Sequence, residues 1–292
     1  MKTNRIFVQV AFASIALTVA LPLTAQNPRP VPPKLTVADS TKLQVLTLMN
    51  GATVIGRITS QRGDTITFAS TIGELSLPVS AIRNVQESAA AAMHGSAYWF
   101  PNPNSTRLFF APTAQMLKKG EGYFADYELF FPGVAYGLTD HVTIGGGVSI
   151  LPAGADEQVY FLTPKVGGSL SEKLHVAAGV LFAGTKGGTG GIGYGAGTFG
   201  DGDASVTVAG GYGFEGGEIA SKPLIMFGGE KCVSRRLALV AENYLPPTRD
   251  AKFVYSFGVR FMGEKLTTDL ALVNMSGSGI IGVPFVDFVF KF

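Results

Sequence analysis

Three histidines and a thin scatter of serines are the first residues to weigh for chemistry, because an imidazole beside a hydroxyl is the minimum for nucleophilic hydrolysis. His94-Gly95-Ser96 is the close pair, and it falls in the alanine-rich stretch SAAAAMHGSA over residues 88–97 rather than on a rigid element. His141 and His175 open β-type runs, but Ser149 and Ser171 miss the alternate position that would put both groups on one strand face. No catalytic site and no enzyme activity are expected. The histidines are too scattered for a metal site, with no HExxH or CxxC spacing and a lone Cys232. Asp201-Gly202-Asp203 lacks the further oxygen ligands of a calcium loop and reads as a tight turn. GGIGYGAG from Gly190 lacks the helix and acidic residue of a dinucleotide site, so no cofactor is expected.

What remains is a set of ionic residues spaced among apolar ones: Arg107, Asp126, Glu128, Lys165, Glu230, Arg236, Glu242, Arg260, Asp269, Asp287 and Lys291. Strand side chains alternate between faces. Phe253, Tyr255, Phe257, Val259 and Phe261 therefore share one face, and Lys252, Ser256, Gly258 and Arg260 the other. Leu266, Leu270 and Leu272 oppose Lys265, Thr267 and Asp269 in the same way. Tyr127, Leu129 and Phe131 oppose Asp126 and Glu128, and Leu162, Pro164 and Val166 oppose Thr163 and Lys165. The closing run FVDFVFKF sets Val286, Phe288, Phe290 and Phe292 against Asp287 and Lys291. In water that aromatic stripe is an aggregation hazard; in lipid it is a solvent-matched surface. An Arg or Lys facing lipid at mid-depth costs about 2–4 kcal/mol, so the ionic set is assigned to an enclosed lumen. Such a set either fills a narrow barrel as a salt-bridged network or lines a water-filled path, and its near balance of sign makes the path weakly selective.

The elements that must position these groups are strands, not helices. Only 15% of the 292 residues are charged, against about a quarter in soluble domains, yet no apolar run after the N-terminus is long enough for a spanning helix. Lys2 and Arg5 precede an apolar stretch from Ile6 to Leu23, and Leu23-Thr24-Ala25 offers a cleavage site, so residues 1–25 read as a secretory signal peptide. The length of that stretch leaves an uncleaved inner-membrane anchor as the alternative. No cysteine near the site suits a lipoprotein, and a net charge of +2 gives no clustered basic face for nucleic acid.

Residues 26–41, with NPRPVPPKL, form an extended proline-rich linker. Residues 42–87 form a small β-module of runs LQVLTL, ATVIGRIT, TITFAS, ELSLPVS and IRNVQ, joined at Asn50-Gly51, Arg62-Gly63-Asp64 and Ile72-Gly73. Residues 88–98 are a second linker, followed by Trp99 and Phe100, a pair suited to a membrane interface. Residues 99–292 carry about twelve runs of barrel-strand length, beginning near Arg107, Tyr123, His141, Gln158, Leu174, Gly191, Ser205, Lys222, Arg236, Lys252, Lys265 and Ile281. GLTDH, LSEKL, FGDGDAS, CVSRR and MGEKL are tight connections suited to the periplasmic rim; MLKKGEG, LPAGADEQ, GTKGGTG, EGGEIAS, LPPTRDA and NMSGSG suit the outer one.

The module resembles SH3-like or Sm-like barrels, with Gly56 where their second strand bends. Its basic residues Lys42, Arg57, Arg62 and Arg83 offer no aromatic stacking platform, so a periplasmic interaction module is expected rather than an RNA binder. The C-terminal Phe288, Phe290 and Phe292 resemble the insertion signal of bacterial outer-membrane barrels, implying the barrel-assembly machinery as a partner. STRLFFAPTA, GLTDHVTIGGG, GAGTFGDGDASVTVAGGYGF and VSRRLALVAENY resemble a group of Bacteroidetes-type outer-membrane β-barrel proteins. That resemblance implies an all-β fold in the outer membrane and brings no catalytic motif. The expected function is porin-like passive passage of small polar solutes, or else a closed structural barrel that anchors the module for protein contacts through residues 43–86.

Overall fold

The computed structural model describes residues 35, 43–70, 73–88, 93–94, 97–99, 101–152, 154, 157–246, 252–277 and 282–292. The expected signal peptide, nearly all of the proline-rich linker and Phe100 lie outside them. The chain divides into two compact units, Met1–Ala91 and Ala92–Phe292.

The first unit holds β1 (Leu43–Leu48), β2 (Thr53–Arg62), β3 (Thr65–Ser70), β4 (Gly73–Pro78) and β5 (Ile82–Ser88). They form one antiparallel sheet in the order β4-β3-β2-β1-β5. Alternation puts Leu46, Ile58, Ile66, Phe68 and Ile82 together as a conventional apolar core. Asn50-Gly51 makes the first hairpin: Gly51 takes a φ of 83°, and the Asn50 side chain accepts from the Ala52 N–H at 3.0 Å. Gly56 is required by contact, since a Cβ there would sit 2.0 Å from the Ala69 carbonyl oxygen. The second unit opens with a short hairpin, β6 (Met93–His94) and β7 (Ala97–Tyr98).

The rest of the second unit is a closed antiparallel barrel of twelve strands. In chain order they are β8 (Gly122–Tyr127), β9 (Phe131–Thr139), β10 (Val142–Val148), an interrupted strand made of β11 (Tyr160–Leu162) and β12 (Lys165–Ser169), β13 (Leu174–Thr185), β14 (Gly188–Gly200) and β15 (Ala204–Glu215). A two-residue stub, β16 (Glu218–Ile219), precedes β17 (Leu224–Ser234), β18 (Leu237–Leu245), β19 (Val254–Met262), β20 (Leu266–Met275) and β21 (Val283–Lys291). Pro164 lacks an N–H and separates β11 from β12, but both halves pair with β10 and β13 in unbroken register. The wall closes where β21 pairs with β8, from Asp287 opposite Tyr127 to Lys291 opposite Tyr123.

The outer surface is apolar and the inner one is not. Val134, Leu138, Ile144, Val166, Phe199, Val208, Phe257, Phe261, Leu270, Phe288 and Phe290 are exposed, while Arg260, Glu242, Asp269, Asp287, Thr198 and Thr207 are 0% exposed. That inversion is stable only with hydrocarbon outside, and closure leaves no edge with unpaired backbone groups.

The five tight connections GLTDH, LSEKL, FGDGDAS, CVSRR and MGEKL all lie at the rim that carries both chain ends of the barrel. The segment MLKKGEG belongs to that rim too, because it precedes the first strand rather than joining two. The opposite rim begins with the turn over 128–130, where Glu128 and Leu129 have φ of 54° and 64°. The expected strand beginning near Arg107 does not form, and a strand the sequence reading does not find, β9, takes its place in the count.

Candidate functional site: a strap through the lumen

Residues 101–117 run inside the barrel before β8 begins, and most of them are buried. Their middle is a tight turn: Arg107 bridges Pro112, the Leu108 N–H donates to the Ala111 carbonyl at 2.9 Å, and the Thr113 N–H to the Thr106 carbonyl at 3.0 Å. The turn leaves the N–H groups of Phe109, Phe110 and Ala111 unused by the strap itself and aimed together. All three donate to Glu242 Oε2 on β18, at 2.9, 3.0 and 2.9 Å, while the Tyr244 hydroxyl donates to Oε1 at 2.7 Å. This is a backbone anion nest whose ligand is a carboxylate of the protein's own wall.

The opposite arrangement holds Lys165 on β12. Its ammonium donates to the carbonyls of Thr106, Thr113 and Gln115 at 3.2, 3.1 and 2.7 Å, using all three of its hydrogens. Arg260 on β19 completes the grip. It binds Asp269 on β20 in a two-pronged contact, Nε at 2.8 Å and Nη2 at 2.7 Å. It also donates to the strap carbonyls of Asn104 at 2.9 Å and Leu108 at 2.8 Å, and pairs with Glu230 on β17. Arg107, on the strap, pairs with Asp287 on β21 and lies 4.3 Å over the Tyr127 ring. The Ala114 N–H donates to Thr198 Oγ1 on β14 at 2.8 Å. The strap is therefore held by strands on every side of the wall.

Packing makes room for it. Ala177, Ala196, Ala209 and Met226 stand opposite one another across four strands, and these inward positions, mostly small, form one cluster with Leu108, Phe109, Ala111 and Ala114. Phe285 of β21 covers the turn, its ring 5.5 Å from Phe109 and 4.6 Å from Phe110. The strap-lined gap between Asn102, Arg107, Thr113 and Glu230 holds about 10 Å³, about the room of a single water.

Of the charges assigned to the lumen, Lys165, Glu230, Glu242, Arg260, Asp269 and Asp287 stand on the inner wall. Lys291 is inward at the chain-end rim, paired with Glu121 at 3.1 Å. Arg107 is interior but belongs to the strap, not to a strand. Three others are corrected. Asp126 takes an outward position, because Tyr123 and Ala125 are buried and Phe124 exposed, and Tyr127 turns inward onto Arg107 instead of facing out. Glu128 sits in the rim turn with a left-handed backbone, where burial pushes its carboxyl up to about 7. Arg236 lies exposed in the tight turn between β17 and β18.

One pairing escapes a reading along single strands. Ser169 Oγ lies 2.8 Å from His175 Nδ1, the two being cross-strand partners on β12 and β13. Among the described residues no carboxylate bonds that ring, so the pair lacks the third group that orients a catalytic imidazole. Nor do the described residues hold a cluster of three potential metal ligands.

Closure, a greasy exterior and a polar interior define this chain as a closed, twelve-stranded antiparallel β-barrel of the membrane-spanning kind. No protein-family profile matches it and no curated protein does. Among solved structures it is similar to a KdgM porin, with a TM-score of 0.43 and 6% identity over 59% of this chain and 95% of that one. A NanC porin aligns at a TM-score of 0.40 and 9% identity, over 59% and 97%. A loop L8 deletion mutant of OmpT, an outer membrane protein of Vibrio cholerae, aligns at 0.35 and 12%, over 86% and 97%.

Proposed function

We propose that this protein is an outer-membrane barrel sealed by its own strap, whose role is to hold the small β-module at the periplasmic face for contacts with envelope proteins. One observation carries the reading: Glu242 and Arg260, on the paired strands β18 and β19, and Lys165, on β12, each hydrogen-bond backbone groups of residues 104–115. Wall charges that wet a solute path would face water instead. The chain ends and the tight turns share one rim, which supports placing that rim on the periplasmic side. Export by the 1–25 signal and insertion through Phe288, Phe290 and Phe292, which project outward on the closing strand, complete the proposal.

A second reading, passive passage of small polar solutes, is favoured by the chemistry of the wall. Replacing buried ion pairs with apolar packing is often neutral or stabilising, so a purely structural filling does not require seven interior ionic groups; with the strap withdrawn, Lys165, Glu230, Glu242 and Arg260 would line a water path. Planar bilayers separate the two. Folded wild type is expected to be electrically silent, with cross-links from residues 43–86 capturing envelope proteins. Steady openings of the intact chain, altered by Arg260→Gln, would overturn the sealed reading in favour of passage.

A further inference from the structure

Two charged side chains of the described barrel strands take outward positions, Asp126 and Lys231. The wall around Lys231 is not evenly greasy. Register sets Phe199 opposite Val206, Val206 opposite Gly229, Gly229 opposite Ala241, and Ala241 opposite Phe257. All five face outward, so along one level the relief falls from bulky side chains to a hydrogen and a methyl group, then rises to a phenyl ring. The result is an open trough of about 830 Å³ on the lipid-facing surface, floored by Gly229 and Ala241. A Cβ at Gly229 would lie 2.7 Å from the Ser205 carbonyl oxygen, so that part of the floor carries no side chain without a backbone shift. The strands of Val206 and Phe257 are three spacings apart, about 14 Å, enough for two acyl chains side by side.

The next outward level toward the chain-end rim carries Lys231, opposite Ala204 and Leu239. A cation thus stands where the trough meets the membrane interface. Among the described residues no carboxylate pairs with Lys231, whereas Lys173, at the same mouth, is held by Asp201 at 3.6 Å.

We propose that this trough binds one anionic glycerophospholipid, its acyl chains over Gly229 and Ala241 and its phosphate on Lys231. The proposal rests on the membrane reading above. Tails gain little by leaving bulk lipid for an equally apolar groove, so shape positions the molecule and the ammonium selects it. A lysine that only snorkelled to water would select no headgroup.

The test uses the full chain in mixed micelles of phosphatidylglycerol and phosphatidylcholine at equal amounts, read by native mass spectrometry. Wild type is expected to retain one phosphatidylglycerol with about fivefold preference, the scale of about 1 kcal/mol for one interfacial charge. Lys231→Gln should keep a lipid but lose the preference, and Ala241→Trp, which fills the floor, should lose the bound lipid of either kind. Heat-modifiable gel migration of the same samples reports the fold. A heat-modifiable wild type with no preference, or a preference that survives Lys231→Gln, overturns the site alone; a chain that never shows heat-modifiable migration overturns the membrane reading with it. Selective retention of lipid A in a parallel mixture would overturn the choice of a glycerophospholipid.

Discussion

The two units obey the same strand alternation and resolve it in opposite directions. In the small module the inward set is Leu46, Ile58, Ile66 and Phe68, each at 0–2% exposure. In the barrel the least exposed side chains include Arg260, Glu242, Asp269 and Asp287, all at 0%. Backbone geometry is shared, so the solvent decides which face goes in: water drives apolar surface into the module, whereas hydrocarbon gives apolar surface no reason to hide and makes charge the part that must be enclosed. The barrel then meets a problem the module never has, because enclosed charge must be paired. It solves this with seventeen residues of its own backbone, 101–117, as a supply of amides and carbonyls.

The contrast is sharpest under a pair of core substitutions. Arg260→Leu makes the barrel interior more apolar, yet it strands Asp269 and Glu230 and should cost about 3–5 kcal/mol. Phe68→Ala makes the module less apolar and should cost about 3–5 kcal/mol by leaving a cavity. Urea titrations followed by heat-modifiable migration report the first, and protease protection of residues 43–88 the second. An Arg260→Leu barrel with an unchanged urea midpoint would break the comparison. On the outer faces the asymmetry reverses: Phe257→Arg should cost about 2–4 kcal/mol in vesicle refolding, while Ser76→Arg on the exposed face of β4 should stay within about 0.5 kcal/mol.

Smaller effects sharpen the picture. Gly51→Ala forces a φ of 83° on a residue with a Cβ and should cost the module about 1 kcal/mol without touching barrel migration. Glu128 tests the barrel rim by pH. Burial raises its folded-state carboxyl from 4.5 to about 7, so the folded state holds the proton longer than the unfolded one, and its contribution falls as pH rises from about 4.5 to 7. Glu128→Gln should flatten that segment of the stability profile. A slope that persists in the variant assigns it to another group.

Much of this was legible in the sequence, for reasons that particular residues make plain. The last three strands read correctly, face by face, because Phe257, Phe261, Leu270, Phe288 and Phe290 alternate with Arg260, Asp269 and Asp287 without interruption. The module's five strands and its Asn50-Gly51 turn read correctly because each run ends on a turn former. The strap was not legible. STRLFFAPTA alternates like a strand, and only its tertiary partners reveal that its amides bind Glu242 rather than a neighbouring strand. β9 was hidden for the complementary reason: its inward positions are Gly133, Ala135 and Gly137, which show no polar alternation. Gly137 is small because a Cβ there would meet the Lys118 carbonyl oxygen at 2.2 Å. One strand too many and one too few left the total of twelve intact. Tyr127 departs from the face that alternation predicts because a tyrosine covering an interior guanidinium is indistinguishable, in one dimension, from one facing lipid.

The position of the strap in the chain has a consequence for assembly. It lies ahead of β8, and the cylinder shuts only when β21, the final strand, reaches β8. A hoop closed around nothing would leave Glu242 without its three backbone donors and Lys165 without its three carbonyl acceptors. Assembly is expected to wrap and fill in a single event, the growing wall gathering around a thread laid down first; cysteine pairs that cross-link residue 109 to residue 242 only after β21 has closed on β8 would contradict it.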